Sequence, residues 1–559
     1  MGTPINDQNL INLLLGKKIQ GIIQNELEKV KFNDKDELPH PLCKYIMDKL
    51  REMKPKKENT NIQYESGKDI EKIWNNLIVS SIKCLRFFDE REPFRGDGDE
   101  MPDKIPIAYG SDNLKKYNEK YTSFESVLYG GSKYYRDHVF HSFRTWLLGI
   151  VCILNEWKLG KKPFIYSIKI DGEKEESVFN RKINFFEKIS MWTIVAACHD
   201  LGYPLEKTKD IFEKTQDMMK EFIYEPRIWN NFNFSGIQDS INDYILNFMC
   251  TKMKMGEEVK EKIKEENKES GKIEEVEIIN NYYNGRKQPK YYFKYAKSLE
   301  GYNHGILSAI IVYKTLTYFK EADFNLNEDY EYNEEEAKQF YIRREILRAM
   351  SSHTCSDIYN VDLSTFSSLL FICDELQEWG RKSWPDMYKG MEGNETQLTI
   401  NKFSTENIVV DEVIDMKSVS NEEIKNKMKR IYTNQYENYK IIFRDGQDSG
   451  NRKYGFCKKA TINLNNGGDG QERSIIIEYG VGNVNMNEFK VTYKGDDIIN
   501  KEILDLKQEL ADSIYGGITI QDGKSDKERL EYQRSLLEDK IRKMEREKEK
   551  LDEKIAAAK

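Results

Sequence analysis

The stretch VAACHDLGYP, residues 195–204, ends an apolar run, FFEKISMWTIVAAC (185–198), with an imidazole and a carboxylate side by side. The run reads as a buried helix, and Gly202 and Pro204, just beyond His199 and Asp200, are the stop signal such a helix needs. Two ligand-type groups at a helix C-terminus face the negative end of the helix dipole, which favours a cation there. A lone His-Asp dipeptide carries little weight. Four further residues give it weight, each set in an apolar helical stretch of its own. They are His141 in YYRDHVFHSFRTWLLGIVCIL, His304 in GYNHGILSAIIVYKTL, His353 in REILRAMSSHTC and Asp374 in FSSLLFICDELQEWGR.

The chain contains only six histidines, and four of them belong to this series. A fifth, His138, precedes His141 by about one helical turn, and His40, in ELPHPLCK, stands apart. A buried imidazole or carboxylate without a partner costs on the order of 1–3 kcal/mol. One cation shared by the whole set explains these residues more economically than separate hydrogen bonds for each. Imidazole nitrogen with carboxylate oxygen suits Mn, Fe, Co, Ni or Zn better than Ca.

The order H…HD…H…H…D resembles the two-metal members of the HD domain superfamily of metal-dependent phosphohydrolases. The Arg136-x-x-x-x-His141-Ser142 neighbourhood and His199-Asp200-Leu201-Gly202 are similar to its first two motifs. The resemblance covers roughly residues 123–383. It implies one divalent transition metal on His141, His199, Asp200 and Asp374, and a second on His304 and His353 with Asp200 as a bridge. A water or hydroxide between the ions would attack a phosphoester or phosphoanhydride of a nucleotide-like small molecule. With a single metal, His304 and His353 would instead position or protonate the phosphate. Many members carry Lys or His where this chain has Tyr203, so substrate or proton transfer at that point differs here.

Helical spacing adds further candidates. Glu378 and Arg381 fall four and seven residues after Asp374. Arg381 reads either as a bidentate phosphate ligand or as a partner of Glu378. Arg144, one turn beyond His141, reads as a pocket residue or as part of an ion pair at the core edge. Lys207 reads as a replacement cation or a surface lysine, and His138 as an acid/base group, an extra ligand or a satisfied helix residue. Two other functions fit the same residues. A di-iron oxygenase on the HD scaffold uses such a ligand set, and a nucleotide-sensing interaction protein would use the site without turnover.

The expected architecture is mainly α. An N-terminal helical region (1–120) precedes an HD helical bundle (121–388), in which a Lys- and Glu-rich segment, about 253–290, reads as a solvated helix and loop. Short β-branched runs (QLTINKF, NIVVDEVIDM, YKIIFRD, SIIIEYG, FKVTYKG) then predict a small α+β region over 389–505. Residues 506–559 predict a long terminal helix. It opens with a capping box of Ser525 and Glu528 and repeats apolar residues every seven positions from Leu530 to Leu551. That helix suits packing on its own protein or a partner, or a coiled-coil homodimer.

At 559 residues the chain has ample length for a sizeable core. Net charge is −8, so the surface is not built to coat a long nucleic acid. The eight cysteines form no CxxC pair and read as buried free thiols in a reducing compartment. With no apolar run of membrane-spanning length and no leader, a cytoplasmic location is expected.

Overall fold

A computed structural model describes residues 4–29, 39–53, 67–89, 110–131, 137–154, 183–221, 237–266, 273–322, 324–327, 330–358, 361, 365–380, 395–403, 407–417, 421–439, 455–465, 474–482 and 489–494. Most of these are helical, with a smaller sheet region. The first strand, β1 (Pro4–Ile5), leads into α1 (Asp7–Leu14), α2 (Lys17–Lys29), α3 (Pro39–Met53) and α4 (Gly67–Phe87). Next come α5 (Ser111–Gly131), α6 (Val139–Leu154), α7 (Phe185–Cys198), α8 (Tyr203–Lys220) and α9 (Ile237–Cys250). The helix α5 runs across the expected boundary at residue 120.

The Lys- and Glu-rich segment corrects the sequence expectation. It is an antiparallel hairpin, β2 (Thr251–Glu266) with β3 (Ile273–Lys287), and not a solvated helix. Its base is anchored in the core by buried Met253 and Tyr283, and Tyr283 pairs with Tyr332 of β4 (Glu331–Tyr332). Ile273, Val276, Ile278 and Ile279 supply the β-branched content that favours extended chain. Between the hairpin and β4 lie α10 (Pro289–Glu300), α11 (His304–Thr315) and the short α12 (Thr317–Lys320); α13 (Glu334–Ser352) and α14 (Phe366–Leu376) follow.

Local chemistry fixes where the central helices begin. Asn184 caps α7 and Asn333 caps α13 through reciprocal capping boxes with Glu187 and Glu336. Helices of 14 and 19 residues then deliver His199 and His353 to the opposite ends as C-cap residues. α7 is buried almost all round, packed by α4, α6, α13 and α14. The α6–α7 contact is keyed by two indoles. Trp192 donates to the Trp146 carbonyl at 3.0 Å, and Trp146 donates to Thr193 at 3.1 Å.

The C-terminal region is a six-stranded sheet in the order β1-β5-β6-β7-β8-β9. Its later strands are β5 (Glu395–Phe403), β6 (Asn407–Lys417), β7 (Gly455–Asn465), β8 (Ser474–Gly482) and β9 (Phe489–Lys494). Only β6 and β7 pair in parallel. Such a pair needs a long crossover, and the described part of it is α15 (Asn421–Arg430) with a π-helical turn, Ile431–Glu437. Ile424, Met428, Ile431 and Tyr432 are buried, as are Ile408, Val410, Ile462 and Ile477 of the strands. The recruitment of β1 from the N-terminus was not visible in sequence, nor was β7. Of the expected strand YKIIFRD, Tyr439 ends the helical run and the rest lies outside the described residues, as do 506–559 with the expected coiled coil. Among the described residues no helix is long and apolar enough to cross a membrane, and Cys84, Cys152, Cys198, Cys250, Cys355, Cys373 and Cys457 are free thiols.

Candidate metal centre

Five helices bring six side chains to one place. His141 sits in the first turn of α6. His199 is the C-cap of α7, with Asp200 in the following turn. His304 opens α11, His353 caps the end of α13, and Asp374 lies near the end of α14. Small residues permit the approach. A Cβ on Gly202 would lie 2.3 Å from the His304 carbonyl oxygen, and one on Gly305 would lie 2.4 Å from that of Met350 and 2.9 Å from His353 Cε1. Gly202 has an ordinary right-handed backbone, so its role is close packing against α11 rather than a left-handed helix stop.

Asp200 stands between two pairs of histidines. Its Oδ2 lies 3.3 Å from His199 Nε2 and 3.8 Å from His141 Nε2, while Oδ1 lies 3.3 Å from His304 Nε2 and 3.8 Å from His353 Nε2. Asp374 Oδ1 completes the first group, 2.6 Å from His141 Nε2 and 3.7 Å from His199 Nε2. In the second group the two Nε2 atoms of His304 and His353 are 3.1 Å apart.

Every histidine of the cluster is held from behind by an oxygen on Nδ1. His141 Nδ1 meets Gln377 Oε1 at 2.6 Å, and His199 Nδ1 meets the Ala196 carbonyl at 2.8 Å. His304 Nδ1 meets Glu206 Oε2 at 2.7 Å, and His353 Nδ1 meets the Met350 carbonyl at 2.6 Å. Neither a carbonyl nor a carboxylate can donate, so each Nδ1 carries the proton and each Nε2 turns a lone pair inward. His199 Nε2 is buried and makes no hydrogen bond. Four lone pairs and two carboxylates crowded together repel one another unless a cation or protons lie among them. The donor set and the oxygen partners behind it suit a metal ion. His141, His199 and Asp374, and again His199, Asp200 and His353, present ligand atoms within 4.8 Å of one another. These buried groups can hold a metal ion.

Without a metal, protons on the histidines, held there by the carboxylates, take its place. Burial opposes charge on His199, but Asp200 and Asp374 outweigh it and push its pKa up to about 10. Asp200 and Glu206 likewise overcome burial to raise His304 to about 9. His353 moves down, because burial and the two neighbouring imidazoles outweigh Asp200. Asp200 and Asp374 are held well below the usual carboxylate range by these histidines, despite burial. Glu206 is lowered to about 2, where His304 and Lys207 overcome its burial.

Asp374, His304, Glu206 and Lys207 have partly exposed side chains, which mark the mouth of the site, while the side chains of His141, His199, Asp200 and His353 are buried. Lys207 lies at this mouth, 3.1 Å from Glu206 and 5.2 Å from the centre of the Tyr203 ring. Tyr203 stacks on His138 at 3.9 Å and meets His304 edge-on at 5.3 Å. Of the two readings of Arg144, the ion pair is the one the described residues show. Its guanidinium is engaged by Asp7 and the Gly380 carbonyl. Glu378 is bound by Arg430 at 2.6 Å; Arg381, its expected partner, lies outside the described residues, as does Arg136. Glu206 and Gln377 were missed in sequence. Gln377 is three residues after Asp374, the other spacing that shares a helix face, and testing it beside four and seven would have found it.

Comparison with protein-family models, with curated proteins and with solved structures gives no match for this chain.

Proposed function

We propose that this chain is a metal-dependent phosphohydrolase of the HD type, acting on a phosphoester or phosphoanhydride of a compact, nucleotide-like substrate. The observation that carries the reading is Asp200, whose two oxygens face two separate histidine pairs, each ring fixed as an Nδ1–H tautomer. Asp200 with the two histidine pairs would hold divalent transition ions such as Mn, Fe, Co, Ni or Zn. Metal bound there supplies Lewis acidity toward phosphate and lowers the pKa of a coordinated water toward neutrality.

The protein's own groups do the rest. His141, His199 and Asp374 hold one side of the centre; His304 and His353 hold the other. Glu206 accepts from both the backbone N–H and Nδ1 of His304, at 2.8 and 2.7 Å, and so fixes that ring against rotation. Lys207, at the mouth, offers a positive charge to a phosphate oxygen. Its pairing with Glu206 leaves it to be shared rather than free. Tyr203, stacked on buried His138 and beside His304, offers an aromatic surface suited to a nucleobase or ribose. The net charge of −8 favours a small substrate over a long polyanion.

The test is phosphate release from a panel of nucleotides, cyclic nucleotides and dinucleotides with Mn or Co present. Turnover by the wild type that is abolished in folded His199→Ala and Asp200→Ala chains supports the reading. Full activity in both variants overturns it. Stoichiometric iron with oxygen uptake and no phosphate release would move the site to the di-iron oxygenase class.

A further inference from the structure

The turn that follows Asp374 is held at each of its residues. Gln377 accepts from His141 Nδ1 and donates from its own amide to the Trp379 carbonyl at 2.8 Å. Glu378 accepts from Arg430 of α15. The Trp379 indole donates to Asp7 Oδ1 at 2.7 Å. The Gly380 carbonyl accepts from Arg144 Nη1 at 3.2 Å, in a left-handed conformation with φ of 69°.

Asp7 joins two of these holds. While one oxygen takes the indole N–H, both oxygens lie 3.1 Å from Arg144 Nε, one turn along α6 from His141. Asp7, Arg144 and Trp379 are all largely buried, so these charge-assisted bonds are little screened by water. Asp7 is also the first residue after the β1–α1 junction. The two residues of β1 pair with β5, Pro4 opposite Thr399 and Ile5 opposite Leu398. A single line of contacts therefore runs from the C-terminal sheet through β1 to Asp7, then to Trp379, Gln377 and the imidazole of His141.

We propose that Asp7 is a positioning residue for the metal centre: by bridging Arg144 and Trp379 it fixes the turn that orients His141, and through β1 it ties that orientation to the C-terminal sheet. The proposal rests on the reading that the histidine cluster binds metal. Nothing about Asp7 touches the substrate, and its effect passes through Gln377. Substitution of an oxygen partner behind a metal-bound histidine weakens metal binding by about 10–100-fold. Asp7 acts one step further back, so roughly tenfold is expected.

The experiment titrates the full-length metal-free chain with Co(II), following the visible absorption of the bound ion, and records thermal melting in parallel. Asp7→Ala is expected to weaken one cobalt equivalent roughly tenfold and to alter its absorption, with the other equivalent unchanged. Asp7→Asn, which keeps an acceptor for the indole, recovers part of the loss. Because both act on one ring, Asp7→Ala added to Gln377→Ala weakens binding no further than Gln377→Ala alone. Should Asp7→Ala not fold, Trp379→Phe removes only the indole hydrogen bond and is expected to weaken the same equivalent severalfold. Wild-type titrations in the folded variants, or additive losses in the double variant, overturn the proposal while leaving the metal reading standing. A wild-type chain that takes up no cobalt overturns both.

Discussion

His304 and His353 point their Nε2 atoms at each other across 3.1 Å, although each ring already gives its Nδ1 proton to an oxygen behind it. As neutral imidazoles the two would face lone pair to lone pair, and in the metal-free fold the extra proton that His304 keeps up to about pH 9 lies between them. A cation shared by the pair removes the conflict. His353→Ala is therefore expected to lose one of two bound metal equivalents and keep the equivalent on His141, His199 and Asp374. Metal analysis of the reconstituted variant reads the outcome directly; retention of both equivalents would contradict the assignment of this pair.

Metal and protons compete for the same nitrogens, which fixes a pH dependence. His199 and His304 titrate at about 10 and about 9 in the metal-free fold, above the ordinary imidazole value of ~6.5. The stability that their protonated forms contribute is complete below pH ~6.5 and is lost as pH rises through 9 and 10. Metal uptake must displace those protons, so apparent metal affinity climbs over the same interval. Melting temperature measured from pH 7 to 10 should fall for the metal-free chain and hold or rise for the metal-loaded one. Parallel slopes would refute the linkage.

Glu206 tests whether orientation of His304 matters apart from charge at the mouth. Glu206→Gln keeps the size of the side chain but supplies a weaker acceptor for the His304 ring. A loss of about tenfold in metal affinity is expected, at the low end for such partners. Lys207→Ala, which removes the neighbouring cation, should leave metal affinity nearly unchanged and raise KM for an anionic substrate. Isothermal titration and steady-state kinetics on the two variants separate these effects.

Gly305 is a packing requirement of the centre. Its added methyl in Gly305→Ala would meet the Met350 carbonyl and the His353 ring at under 3 Å, and one of those contacts is backbone. The expected cost is about 1–3 kcal/mol of stability from overpacking, together with weaker metal binding as α11 and α13 are forced apart. Denaturant unfolding checks the first and cobalt titration the second. A variant of unchanged stability would show that the two helices can part freely.

A buried charge elsewhere offers a stability test independent of the site. Arg343 is fully buried and lies 3.2 Å from Asp89, also buried, with further bonds to the Tyr318 carbonyl and Gln339. Removing one partner of such a pair leaves an uncompensated charge in the core. Asp89→Ala is expected to cost about 3–5 kcal/mol, read by denaturant unfolding, with metal stoichiometry unchanged.

What could be read from the sequence followed from how local each signal is. His141, His199, Asp200, His304, His353 and Asp374 stood out because each interrupts an apolar helical run, and that anomaly needs no knowledge of the tertiary fold. The Arg144–Asp7 pair spans 137 residues, and no local pattern in the sequence announces it. The β2–β3 hairpin was misread because its Lys and Glu content suggested a solvated helix. The β-branched residues near Ile273 carried the better signal. In the C-terminal sheet the runs over β5, β6, β8 and β9 were legible as short β-branched stretches between turn-rich pieces. β1 was not, since two residues have no periodicity and their pairing is decided by an edge almost 400 positions away.

The account stands or falls on Asp200 as a shared ligand. Its most direct test is the metal content of the wild-type and Asp200→Ala chains after reconstitution with Mn(II) and removal of free ion. The wild type is expected to retain close to two ions per chain, and the folded variant to retain neither tightly. A wild type without bound metal, or a variant that binds as the wild type does, would contradict it.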